Sequence, residues 1–171
     1  MSDQSQTRRS EDLPSQSLGT RRETPFTYTP SLLEAIAYTG GGSGSWVSLN
    51  ALRFTSLCPV TGQPDWAEIT INFLPKEKLI ESKALKEYLG SFRMHGDFHE
   101  DVIRIICDDL AACIAPRYIE VLGHFDSRGS VAIWPYAQYA DANDQQAQAL
   151  REHRFLNYSP GCWAADPRTV R

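Results

Sequence analysis

Four short segments of the chain carry residue types that can do chemistry. In FTSLCPVTGQPDW, Phe54 to Trp66, a cysteine and an aspartate lie seven residues apart, with Gly62 between them. A thiolate adds to electrophilic carbon, and a carboxyl folded back across a turn can move the proton that the addition needs. Cys58 precedes Pro59 at the end of a strand-like run, beside Thr55, Ser56 and Thr61. By itself a free cysteine is most often a small buried hydrophobe, and an aspartate near a glycine is ordinary turn chemistry. Both readings stay open on these residues alone.

The second segment is HGDFHED, where His99 and Glu100 stand together at a helix start. A histidine there can shuttle a proton, and a glutamate can accept from the ring N–H groups of a base. Acids at a helix N-terminus are also ordinary capping residues. The third segment, ESKALK, puts Glu81, Ser82, Lys83 and Lys86 at another helix start, a setting that favours anions such as phosphate. In the fourth, DSRGS, Arg128 adds a cation and Gly129 permits close backbone approach. For each of these charges alone, a solvated face is the ordinary alternative. Metal chemistry finds no support. His95 and His99 straddle Gly96, Cys107 and Cys113 are six apart, and no His/Cys set has zinc spacing. There is no GxGxxG and no Walker-type loop, so any nucleotide must be held without those devices.

The elements that must position these residues can be read from periodicity. TPSLLEAIA predicts a short helix, with Thr29 or Ser31 near its start, and GGGSG at Gly40 to Gly44 predicts a loop. WVSLNALRFTS and AEITINFLP predict strands; in the second, Ile69, Ile71 and Phe73 share a face. Leu85, Tyr88, Leu89 and Phe92 fall at helical spacing, as do Val102, Ile105, Ile106, Leu110 and Cys113. Asp97 is the expected N-cap of that second helix and Pro116 its end. RYIEVLGHF and SVAIWPY predict the last two strands, with Ile119, Val121, Gly123 and Phe125 on one face. From about Asp141 the chain is polar with a short helical stretch. The order is strand, strand, helix, helix, strand, strand. It implies an α+β layer, an antiparallel sheet with two helices on one face. The other face, with Thr70, Asn72 and Glu120, then meets solvent or lines a barrel of several subunits.

Composition sets the class. With 171 residues and 42% hydrophobic content, the chain can build one domain with a real core. Residues 1–24 are polar and charged, which predicts a disordered tail before a single domain over 25–171. The net charge of −4 argues against a broad nucleic-acid surface but not against a few local cations for a small anion. Cys58, Cys107, Cys113 and Cys162 form no CxxC pair, and there is no secretory or membrane-spanning run. The expectation is a cytoplasmic protein with reduced thiols.

Taken in order, FTSLCPVTGQPD, LIESKALKEYLGSFRMHGDFHED and PRYIEVLGHFDSRG resemble the QueF family of nitrile reductases, the NADPH-dependent 7-cyano-7-deazaguanine reductases. The resemblance covers roughly residues 25–165 and matches the short, unimodular branch. It implies a tunnelling fold (T-fold), ββααββ protomers whose sheets join into an oligomeric barrel. A decamer of two pentamers with active sites between subunits is the implied assembly. It implies Cys58 as the nucleophile that forms a thioimide with the nitrile, Asp65 as the acid, and His99 with Glu100 at the substrate. Ile80, Glu81 and Ser82 match a substrate-contacting stretch, and Ser82, Lys83, Arg128 and Gly129 match NADPH positions, to which Lys86 adds a phosphate-suited charge. The product would feed queuosine synthesis for tRNA, with no direct nucleic-acid or membrane contact.

The sequence departs from the family pattern at four positions. Val102 stands where many relatives carry a second cysteine, so no disulfide with Cys58 is available there. Glu87, Ser130 and Trp134 also differ, which touches the cofactor loops rather than Cys58 and Asp65. An amidinotransferase of the same fold, using ammonia in place of hydride, is the alternative enzyme; the intact ESKALK segment favours the reductase. A cyclohydrolase would need the missing zinc set. A non-catalytic purine-binding assembly protein would have no use for Cys58.

Overall fold

The structure, a computed structural model, describes residues 26–40 and 44–158, so the expected tail over 1–24 and Cys162 lie outside it. Two long strands, β2 (Val47–Leu57) and β3 (Pro64–Leu74), form a hairpin. They continue into β5 (Tyr118–Phe125) and β6 (Tyr136–Ala140), giving an antiparallel sheet in the order β2-β3-β5-β6. A second, two-stranded sheet pairs β1 (Ala35–Ala37) with β4 (Lys78–Ile80). Helices α1 (Ser82–Ser91) and α2 (His99–Ile114) pack on one sheet face, and α3 (Gln145–Leu156) follows β6. The expected α+β layer is present.

Alternation built the sheet as read. Ile69, Ile71 and Phe73 are each no more than 1% exposed and meet α2 across the core. Gly123 explains how closely α2 approaches β5. A Cβ there would lie 2.7 Å from Cδ1 of Ile103 and 2.8 Å from the Phe125 ring. Gly123→Ala is therefore expected to destabilise the fold by about 1–3 kcal/mol through overpacking, read as a lower denaturant midpoint with an unchanged slope. Asp109 ties three segments together: its Oδ2 accepts from Tyr28 at 2.7 Å and from Tyr88 at 2.6 Å.

Four local expectations are corrected. Residues 29–37 do not form a helix. Pro30 starts a single 3-10 turn over Pro30–Leu32, Leu33 is extended, and Ala35–Ala37 gains backbone partners by pairing with β4. The N-cap of α2 is Phe98, and Asp97 lies one residue too early. Its carboxylate takes the Phe98 N–H and pairs with His95. The buried stripe of α2 runs through Ile103, Cys107 and Ile114, leaving Ile105 and Cys113 only half-buried. The last strand begins only at Tyr136, the final residue of SVAIWPY, and runs on to Ala140, because Pro135 has no N–H for a ladder. The second sheet face is also less bare than the alternation implied. Glu120 is 4% exposed there, bound by Tyr118, Tyr136 and Asn72 and paired with Arg154 of α3.

Candidate active site

The loop between β2 and β3 carries Cys58. The Cys58 N–H donates to the Gln63 carbonyl at 2.8 Å, and the Gly62 N–H donates back to the Cys58 carbonyl at 2.9 Å. Gly62 closes this turn at φ +67°, where a side chain would be strained. The loop is tied to the segment entering α2. The Leu57 N–H donates to the His95 carbonyl, and the Asp97 N–H donates to the Leu57 carbonyl. These two bonds carry the thiol loop to the first turn of α2, where His99 lies.

Three groups converge beside it. Asp65 and His99 are 2% and 3% exposed, with Oδ2 and Nε2 3.0 Å apart. Arg128 places Nε 3.3 Å from Oδ1 of Asp65 and Nη2 3.3 Å from Nε2 of His99. The His99 ring stacks on Phe125 at 3.8 Å, nearly parallel, so its orientation is fixed. The Asp65 oxygens make ion-pair contacts but no aligned hydrogen bond, and Ser56 Oγ and His99 Nδ1 have no hydrogen-bond partner among the described residues. Ser56 faces Asp65 directly across the hairpin. Such a concentration of unsatisfied buried polar atoms is costly, and it makes this cluster the candidate functional centre.

The same environment acts on sulfur. The Cys58 thiol is lowered to about 7, first by the Thr61 hydroxyl, then by the backbone N–H groups of Thr61 and Val60, then by Arg128. Thr61 Oγ1 already accepts from the Gln63 N–H, which leaves its own proton to donate. By contrast, burial pushes Cys107 up to about 12 and also raises Cys113. Thr61→Val, which keeps the shape and removes the donor, is expected to move the midpoint of Cys58 alkylation upward from near pH 7. Peptide-resolved alkylation across pH reads this shift.

The remaining sequence-predicted residues are placed as follows. Glu100 is exposed next to His99, with no hydrogen-bond partner among the described residues. Arg128 stands with Cys58, Asp65 and His99 rather than with the α1 lysines. Gly129 and Ser130 both have positive φ at its turn, so Ser130 adopts a left-handed conformation more natural to the glycine expected there. Ile80 is buried at the end of β4, and the Glu81 carboxylate caps α1 by accepting from the N–H groups of Lys83 and Ala84. Two of the amides at this helix N-terminus are thus already taken, which leaves an anion mainly to cationic side chains. Val102 is fully buried in the core.

A cavity of about 460 Å³ opens between β2 and α1. Ser82 and Lys86 line it, and Lys83 does not. Sequence reasoning missed two further lining cations, Arg53 and Arg93. Arg93 was within reach of the helical period, since residues 82, 86 and 93 recur along one face. Arg53 was not, because it sits in a register shift between Ala51 and Phe54 that only strand pairing reveals.

Residues 64–144 match the family model described as QueF-like protein. A protein of Bdellovibrio bacteriovorus named NADPH-dependent 7-cyano-7-deazaguanine reductase is 49% identical over 142 residues, 83% of each chain. The chain belongs to the QueF family. A reductase of the same name from Bacteroides thetaiotaomicron is 48% identical, across 82% of this chain and 92% of its own. A crystal structure titled archaeosine synthase QueF-Like in the apo form superimposes with a TM-score of 0.54 at 21% identity. It covers 57% of this chain and 96% of its own, and the likeness is one of fold. The names of these QueF reductases state NADPH dependence. The cavity fits such a group, being largely apolar inside, lined by three cations and by no carboxylate.

Proposed function

We propose that this QueF-family chain reduces the nitrile of 7-cyano-7-deazaguanine to the primary amine, using NADPH. The observation that carries the proposal is a thiol lowered to about 7 beside a buried Asp65–His99 pair with the exposed Arg128 against it. The Cys58 thiolate attacks the nitrile carbon, forming the S–C bond as one π pair moves to nitrogen. Asp65 takes the thiol proton and passes it to that nitrogen, giving a covalent thioimide. His99, fixed against Phe125, holds Asp65 in position. The exposed Glu100 carboxylate accepts the ring N–H groups of the deazaguanine, and Ile80, Glu81 and Ser82 complete the substrate contacts. Ser82, Lys83, Lys86, Arg128 and Gly129 would hold NADPH, which would supply one hydride at each of two rounds, and the nitrogen takes one further proton from water. Between the rounds the C–S bond breaks and Cys58 leaves as thiolate, a departure that its lowered pKa assists.

The assembly belongs to the same proposal. The 11-residue β2 and the short β6 are the two edges of the main sheet. Exposed edges of this kind invite pairing with further copies. We place the active sites between subunits of a decamer made from two pentamers, each protomer a single domain over 25–171. No helix among the described residues is long and apolar enough to cross a membrane. The proposed setting is cytoplasmic, in queuosine synthesis for tRNA.

The test is NADPH absorbance with the purified chain and 7-cyano-7-deazaguanine. Two NADPH are expected to be consumed for each nitrile. Absence of oxidation overturns the reductase reading.

A further inference from the structure

We infer that the β2–α1 cavity takes the adenosine half of NADPH, with Arg53 and Arg93 holding its 2′-phosphate. This rests on the reductase reading and adds two residues to it. The β-bulge is the first support. Three residues of β2 span what two of β3 span between Ala51/Ile69 and Phe54/Ala67, so Leu52 and Arg53 leave the regular alternation. Bulges re-aim side chains, and Arg53 lines the cavity. Among the described residues its side chain has one hydrogen bond, to the carbonyl of its neighbour Leu52 at 2.8 Å. Lys86 has no acidic partner among the described residues, and Arg93 lies 5.2 Å over the Phe26 ring. That ring contact orients a guanidinium without neutralising it.

Three uncompensated cations around one cavity, in a chain of net charge −4, point to an anion of more than one charge. The inner surface is apolar, with Leu85 and Leu89 of α1 facing Leu49 of β2, and suits the faces of a purine. The two arginines bring planar forks that grip a phosphate monoester in two-bond fashion, which a lysine cannot do. Glu81 occupies two of the amides at the start of α1, those of Lys83 and Ala84, so most of the hold on a phosphate falls to the side chains. A ligand with an apolar ring and a terminal phosphate meets all of these conditions. NADH lacks that phosphate, and the two arginines would then set the preference for NADPH.

The probe is adenosine 2′,5′-bisphosphate against adenosine 5′-phosphate, titrated calorimetrically into the full chain. Wild-type protein is expected to prefer the bisphosphate by about tenfold or more, as a charge-assisted pair allows. Arg53→Ala and Arg93→Ala are each expected to lose most of that preference, with 5′-phosphate binding little changed. Arg53→Lys, which keeps charge and loses the fork, is expected to fall between, and guards against a folding defect in the alanine variant. An unchanged preference in both alanine variants overturns the inference. The underlying reductase reading is judged separately, by adduct formation on Cys58 of the wild-type protein, which needs no NADPH.

Discussion

Cys58→Ala protein is expected to oxidise NADPH no faster in the presence of the nitrile than in its absence. The loss should be on the order of 10³-fold or more, because the covalent step has no substitute nucleophile. Of the described cysteines, Cys107 and Cys113 have raised thiols, and Cys107 is almost fully buried, so neither can take over. Folding should survive the change. Cys58 is small, and its backbone bonds to Gln63 and Gly62 do not involve sulfur. Cys58→Ser is the sharper control. It keeps size and polarity but replaces a thiol lowered to about 7 with a hydroxyl that remains protonated. The rate in wild-type protein should fall as pH drops below about 7, since protonation removes the thiolate, and it should hold above that value. Stopped-flow absorbance across pH reads both effects.

Asp65→Asn is expected to cost about 10²–10⁴-fold in turnover, the range of a lost general acid–base group. The amide fits the same space beside His99, but it can neither accept the thiol proton nor pass one to nitrogen. Arg128 then loses its carboxylate partner, yet at 44% exposure its guanidinium is left in contact with water rather than stranded. The fold should therefore change little, which separates this variant from a structural one. The defect should appear in the rate of adduct formation on Cys58, measured without NADPH. Binding of adenosine 2′,5′-bisphosphate at the β2–α1 cavity should be unaffected.

The features legible in the sequence are those with a local period. The β2–β3 hairpin was readable because Ile69, Ile71 and Phe73 alternate, and the two core helices because their apolar residues recur every three or four. The register of the α2 stripe was harder. Its flanks are also apolar, so Ile105 and Cys113 looked as good as Ile103 and Ile114. Ala35–Ala37 and Tyr136–Ala140 depend on distant partners in β4 and β5, which no window of nine residues contains. The site divides in the same way. Cys58, Asp65, His99 and Arg128 carry their chemistry in their residue types and in the family resemblance. What brings them together does not show locally: two backbone bonds at Leu57, close packing at Gly123 and the Phe125 stack. The activation of the thiol was missed for another reason. It comes first from the Thr61 hydroxyl, then from the loop N–H groups and Arg128, and residue types alone do not show that the turn aims these donors at the sulfur.

The most direct test of the covalent account is mass spectrometry of the intact chain after mixing with 7-cyano-7-deazaguanine and no NADPH. Addition across a nitrile expels nothing, so the account predicts a gain equal to the whole nitrile, located by peptide mapping on Cys58 and reversed when NADPH is added. An unmodified chain, or an adduct on any other residue, would contradict it.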